Sequence, residues 1–311
     1  MPFFDAMNLD CKTENSGKNI VGLLVFSLLF VVANLFAPVL AQVPNKDLKA
    51  MTDAEIAFAK RAFDASMKIA FLENLDSDGM VFEGDVPVLG LTQHGNQPDN
   101  SRTLITWYPV FAQIATSGDL GFSCGPYKYQ ADKAKEVIGS GYYFSIWKKN
   151  SAGIFKVKLD AGTNHTKMDT DVFVLHPKPQ GEIANFNPVP APKNIGGKDP
   201  WSIEEQFAEL AESDPEGAYQ KYAGKRFLMI RNDQQAGQDK KANIDLIRLQ
   251  NISTYKFRTL GKDISLGGDL AYCYGQVKVL GDELSEGYFV RVWQYQKEGW
   301  RILADEINVL R

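Results

Sequence analysis

The stretch Gly118-Asp119-Leu120-Gly121-Phe122-Ser123-Cys124-Gly125 returns, about 150 residues further on, as Gly268-Asp269-Leu270-Ala271-Tyr272-Cys273-Tyr274-Gly275. Two more blocks follow it in the same order. Gly141-Tyr142-Tyr143-Phe144-Ser145-Ile146-Trp147 returns as Gly287-Tyr288-Phe289-Val290-Arg291-Val292-Trp293, and Gly153-Ile154-Phe155-Lys156-Val157-Lys158-Leu159-Asp160 as Gly299-Trp300-Arg301-Ile302-Leu303-Ala304-Asp305. Three ordered blocks at a nearly constant offset mark an internal duplication.

Upstream of the blocks, each copy opens on a helix signal. Thr52-Asp53-Ala54-Glu55 and Ser202-Ile203-Glu204-Glu205 have the form of capping boxes, in which hydroxyl and carboxylate satisfy the first free N–H groups. Ile56, Ala59, Phe63, Met67 and Ala70 then recur at helical spacing, as do Ile203, Phe207, Leu210 and Ala211, until Asp214-Pro215 interrupts the second helix. Strands are predicted over 103–115 and 121–129 around the turn Ser117-Gly118-Asp119, and over 254–266 and 271–279 around Gly267-Gly268-Asp269. The last two strands of each copy, 141–149 with 155–161 and 287–296 with 300–308, are joined tightly at Gly153 and Gly299. Helices first and an antiparallel meander after them predict an α+β fold. No GxGxxG or P-loop pattern is present, so the usual phosphate cradles are missing.

Composition agrees with two folded domains. The chain has 311 residues, 44% of them hydrophobic, which is beyond the size at which single cores stop growing. Its 34 Lys and Arg against 38 Asp and Glu give a net charge of −4, which argues against a nucleic-acid partner. Nothing in the sequence asks for a metal or another cofactor. Cys124 and Cys273 are either two buried small side chains or, in an oxidising compartment, a disulfide.

Residues 20–36 form an apolar run preceded by Lys12 and Lys18 and followed by small residues at Val39 and Ala41. This predicts a signal peptide over 1–41, cleaved before Gln42. The length of the run and the acidic Asp5, Asp10 and Glu14 fit an uncleaved membrane anchor through residues 19–41 instead. Both readings put the domains outside the cytoplasm, as a periplasmic, secreted or membrane-anchored protein. Residues 166–201 hold Pro177, Pro179, Pro188, Pro190, Pro192 and Pro200 with Gly196-Gly197, and read as a semi-rigid linker between domains at 43–165 and 202–311.

The blocks 117–126, 141–147 and 153–157, with Asp78-Gly79-Met80-Val81-Phe82 and Trp107-Tyr108-Pro109, resemble the nuclear transport factor 2-like superfamily, in particular its SnoaL-like and DUF4440-like bacterial members. The second copy matches through Gly268-Asp269-Leu270, Arg291-Val292-Trp293 and Gly299-Trp300-Arg301-Ile302. The resemblance implies two cones, each a curved antiparallel sheet around N-terminal helices with a pocket at the open end. It also implies an intramolecular pseudo-dimer. Such folds host isomerases, dehydratases, hydrolases and non-catalytic binders, so the fold alone does not set the function.

Strand alternation groups Tyr143, Ser145 and Trp147 on one face, and Phe289, Arg291 and Trp293 on the equivalent face, as pocket walls or as ordinary core. Arg291 matches a pocket-lining arginine of the related kinase association domain, which predicts an anionic ligand for the second copy and a neutral one for the first. Asp160 and Asp305 recur as candidate catalytic carboxylates. Alternation from Phe155, Val157 and Leu159 places Asp160 on the outward, polar face with Lys156 and Lys158. His94 falls in a polar loop and His165 and His176 in the linker, so a histidine-based dyad is not expected. The reading favoured by these features is a binder of a small apolar or amphipathic molecule. The alternatives are a lyase, isomerase or hydrolase using Asp and Tyr acid–base chemistry, and a protein-interaction module with filled cones.

Overall fold

The computed structural model describes residues 45–100, 102–133, 135–165, 199–281 and 283–310. The predicted signal or anchor and all but the end of the predicted linker lie outside them. No helix among the described residues is long and apolar enough to cross a membrane.

Helix α1 (Lys46–Asp64) begins six residues before the predicted box, because Asn45 caps it by accepting from the amides of Asp47 and Leu48 at 2.9 and 3.2 Å. Thr52 is therefore mid-helix, its hydroxyl donating back to the Leu48 and Lys49 carbonyls, and Glu55 faces inward. The second box fails in the same way. Asp199 caps α4 (Pro200–Ala211) with Pro200 as the first helical residue, which leaves Glu204 free to point inward. The predicted break holds: Asp214 caps α5 (Pro215–Tyr222).

In the first half, α2 (Met67–Asn74) runs directly into β1 (Leu75–Glu83). β2 (Val86–Leu89), α3 (Gly90–Asn96), β3 (Leu104–Trp107), β4 (Phe111–Ile114), β5 (Leu120–Gln130), β6 (Gly139–Lys149) and β7 (Phe155–His165) follow. In the second half, α5 runs directly into β8 (Ala223–Arg231). Then come α6 (Lys240–Leu249), β9 (Thr254–Ile264), β10 (Leu270–Leu280), β11 (Leu284–Gln296) and β12 (Gly299–Val309). The sheets run β2-β1-β7-β6-β5-β3, with β4 also on β5, and β8-β12-β11-β10-β9. Both sheets are mixed, not antiparallel throughout, since β1 lies parallel to β7 and β8 parallel to β12. β1 leaves its helix without a Gly or Pro at the junction, whereas Gly224 follows the C-cap of the helix before β8.

One face of each sheet is covered by its own helices. Met51 and Phe58 of α1 pack on Trp107, Tyr143, Trp147 and Val157, and Phe207 and Tyr219 pack on Phe289, Trp293 and Ile302. The other two faces pack against each other. Phe122, Phe144, Ile146 and Leu159 meet Tyr272, Val290, Val292 and Leu303 in one apolar seam. Each such side chain contributes about 1.5–3 kcal/mol by leaving water. Cys124 lies in this seam and Cys273 in the second helix-covered core, both as free, buried thiols.

At one end of the seam the two halves exchange hydrogen bonds. Gly118 and Gly268 both take φ of +68° in their turns. Asp119 accepts from the Leu266 amide at 3.2 Å, and Asp269 accepts from the Thr116 amide at 2.9 Å. Each turn is thus completed by an aspartate of the other half. Lys148 pairs with Asp263 across the same boundary at 2.6 Å.

A β-bulge in each last hairpin decides which way the late residues face. Trp147 pairs with Val157 but Ile146 pairs with Leu159, so Lys158 is extra; likewise Trp293 pairs with Ile302 and Val292 with Ala304, leaving Leu303 extra. Val157 and Ile302 lie on the helix side, whereas Leu159 and Ala304 lie in the seam. The bulge reverses the alternation and turns Asp160 and Asp305 inward, which corrects the outward placement expected for Asp160.

Candidate functional site

Glu55 of α1 stands behind the first helix-covered face, fully buried. It accepts from Trp107 Nε1 at 2.6 Å, Ser123 Oγ at 2.5 Å and Trp147 Nε1 at 2.7 Å. Burial raises its pKa and the three donors only partly offset this. Next to it on β6, Ser145 donates to Asp160 Oδ2 at 2.7 Å. Asp160 is pushed up to about 7, chiefly by burial, with the Ser145 hydrogen bond lowering it and the Glu55 charge raising it. Among the described residues no cation balances it. The Tyr143 hydroxyl is buried without a hydrogen-bond partner.

Asp160 and Tyr143 line a cavity of about 630 Å³. Phe58, Phe71, Phe82 and Trp107 give it aromatic walls, Gln93, Gln97, Thr103, Ser140 and Asn164 add polar groups, and no Lys or Arg is among its described lining residues. Two histidines not expected at a site line it as well. The predicted polar loop contains α3, which stacks His94 on Phe71 with ring centres 3.9 Å apart, and burial lowers His94 to about 4. Strand β7 extends past its predicted end and finishes at His165, which burial also lowers. Both rings are therefore neutral near pH 7. Two residues of the second half, Tyr288 and Asn308, complete the wall. Ser145 and Trp147, predicted as ligand contacts, sit behind the wall holding Asp160 and Glu55.

At the matching place in the second half, Arg291 is fully buried. It donates from Nε to Asp305 Oδ1 at 2.7 Å and from Nη1 to Glu204 Oε1 at 2.6 Å. The rings of Phe207 and Phe257 lie 4.2 Å from its guanidinium carbon, and that of Phe289 lies 4.9 Å away. Trp293 Nε1 donates to Glu204 Oε2 at 2.7 Å, repeating the Trp147–Glu55 bond. Arg231 and Tyr219 close the network on Asp305 Oδ2, each at 2.6 Å. Burial alone would raise Asp305, but Arg291 and Arg231 outweigh it and lower its pKa. Phe289, Arg291 and Trp293, predicted to line a second pocket, are packed interior. Arg291 already holds two carboxylates of its own chain, so an external anion is not what it serves.

No family model matches the sequence, and no curated protein matches it. The chain is similar to nuclear transport factor 2-like proteins. One solved structure is a ketosteroid isomerase-like protein from Erwinia carotovora atroseptica, 13% identical over 39% of this chain and 97% of its own, with a TM-score of 0.32. A second is an NTF2-like protein of unknown function in nutrient uptake from Rhodospirillum rubrum, 12% identical over 37% of this chain and all of its own (100%), also at 0.32. A third is a putative ketosteroid isomerase from Shewanella frigidimarina, 17% identical over 37% of this chain and 94% of its own, at 0.29.

Proposed function

We propose that the first-half cavity binds one small, mostly apolar, uncharged molecule and that Asp160 exchanges a proton with it, as in an isomerase-type reaction. The observation that carries this is a carboxyl near pH 7, with no Lys or Arg among the described residues of the wall beside it, opening into an aromatic cavity of about 630 Å³. Near neutrality such a group is divided between its two forms, so it can both take and return a proton. The buried Tyr143 hydroxyl supplies a hydrogen-bond donor for charge developing on a carbonyl oxygen. Among the described residues no Lys or Arg lines the wall, which disfavours an anion.

In this reading the two halves are tandem nuclear transport factor 2-like domains forming an intramolecular pseudo-dimer, with the cavity described above in the first. The repeated element order, the apolar seam and the exchanged Asp119 and Asp269 contacts support that arrangement. The apolar run at 20–36 with Val39 and Ala41 supports export.

The test is deuterium uptake beside the carbonyl of small cyclic ketones incubated with the protein in D₂O. Uptake that Asp160→Asn reduces by roughly 10²–10⁴-fold is expected. Equal uptake with both proteins, or none above buffer, overturns the acid–base role. Binding of the ketones without uptake leaves a non-catalytic binder.

A further inference from the structure

The first-half cavity is walled in part by the second half, and the contact there is specific. Tyr288 of β11 donates from its hydroxyl to the Gly162 carbonyl at 2.6 Å and accepts from the Gly162 amide at 3.3 Å. Asn308 of β12 donates to the same carbonyl at 2.5 Å and to the Tyr288 hydroxyl at 3.0 Å, while its own oxygen accepts from Asn232 at 3.1 Å. Gly162 is two residues from Asp160 on the same face of β7. The Tyr288 ring also stacks on Phe82 of β1, with centres 3.9 Å apart and planes at 6°. Asp160 pairs with Val81, the neighbour of Phe82. The two side chains therefore grip β7, which carries the carboxyl, and Tyr288 also holds β1, which flanks it.

Polar side chains are not needed to fill a seam that is otherwise apolar, and Tyr288 and Asn308 are only 6% and 5% exposed. The matched tyrosine of the first half, Tyr142, also reaches across the boundary, but to a loop, at the backbone of Ala236, and not to the strand that carries Asp305.

We propose that Tyr288 and Asn308 are positioning residues of the first-half site, fixing β7 at Gly162 so that water is kept from Asp160 and its carboxyl is aimed into the cavity. This rests on the reading of Asp160 given above. The other titratable groups around Asp160 are Glu55 behind it, Tyr127, Tyr129, Tyr143, His94 and His165 in the wall, Tyr288 itself and Glu306 across the seam; of these the substitutions below replace only Tyr288.

The experiment follows the Asp160 carboxyl by ¹³C NMR through a pH titration of the full chain. Tyr288→Phe keeps the stacked ring and removes only the hydroxyl; the double variant Tyr288→Phe/Asn308→Ala removes the whole grip. Admitting water relieves the cost of ionisation, so the midpoint falls, by about one pH unit or more in the double variant and by less in the single one. Lys148→Ala breaks a cross-half ion pair elsewhere on the boundary and leaves the midpoint where it was. A wild-type midpoint near 7 that both grip variants keep, or that Lys148→Ala lowers equally, overturns the positioning role alone. A wild-type midpoint in the ordinary carboxylate range overturns the functional reading and the grip with it.

Discussion

The two halves place the same kinds of group at the same positions and reach opposite electrostatic outcomes. Glu55 and Glu204 each accept from the indole of a matched tryptophan, and Asp160 and Asp305 each follow a bulge on the last strand. The difference sits at one register position, where Ser145 faces Asp160 and Arg291 faces Asp305, and at Arg231, a second cation on Asp305. A hydroxyl leaves its partly buried carboxyl with no cation beside it, so that the pKa climbs to about 7. A guanidinium fills the space, brings Glu204 into the network and holds Asp305 ionised. Arg291, with Arg231 beside it, thus separates a charge-balanced interior from a cavity with a titrating acid.

The comparison breaks most visibly at Arg291. Arg291→Ser leaves Glu204 and Asp305 buried with one cation fewer, and about 3–5 kcal/mol of stability is lost in denaturant unfolding. The additional change Glu204→Gln restores part of it. A loss under about 1 kcal/mol would mean that the second interior hydrates freely and is not the closed counterpart described here.

Grafting the difference the other way is the next largest effect. Ser145→Arg sets a cation beside Asp160 and takes room from the cavity, so the Asp160 midpoint falls from about 7 into or below the ordinary carboxylate range and deuterium uptake stops. An unchanged midpoint would show that the surroundings, not position 145, set the pKa.

The pH dependence of stability separates the buried carboxyls more finely. Asp160 and the fully buried Glu306, whose carboxylate oxygens have no hydrogen-bond partner, both have raised pKa values. Their native forms bind protons that the unfolded chain has released. Their contribution is therefore greatest below about pH 4 and is lost as pH rises, to near 7 for Asp160, at roughly 1.4 kcal/mol for each pH unit between the unfolded and folded midpoints. Asp305 is lowered, so its contribution is present above the ordinary Asp pKa and disappears as pH falls through its folded value. Glu306→Gln should raise the unfolding midpoint at about pH 8 and change it little at about pH 4. An equal gain at both would show that folding does not raise the pKa of Glu306.

The smallest effect tests where the halves agree. Asp119→Ala and Asp269→Ala each remove a charged acceptor from a turn of the other half, and each should cost about 1–2 kcal/mol. Clearly unequal losses would argue against a symmetric boundary.

Much of this is legible in the repeated blocks, because glycine turns and alternating strands write themselves directly into sequence. Strands β5 to β7 and β10 to β12 fall where the blocks put them, and the same blocks single out Asp160 and Ser145. The unequal chemistry of positions 145 and 291 is visible there too. What the sequence hides, it hides for identifiable reasons. A Ser/Thr-x-x-Glu pattern looks the same at a helix start and one turn or more inside it, which conceals Glu55 and Glu204 as interior acceptors. A single bulged residue inverts every side chain beyond it, which misplaces Asp160. The share of Tyr288 and Asn308 in the first cavity depends on pairings 126 and 146 residues apart, which no local pattern records.

The exchanged turn contacts also set a clock on biosynthesis. The Thr116 amide finds its acceptor in Asp269, 153 residues later in the chain. At roughly 5–20 residues per second, the ribosome takes on the order of ten to thirty seconds to deliver that partner. For that interval the first sheet has emerged with Phe122, Phe144 and Ile146 uncovered, a face built to meet the second half of its own chain. A nascent copy on a neighbouring ribosome presents the same face, and early capture of the seam by a holding chaperone would decide between closure within one chain and swapping between two.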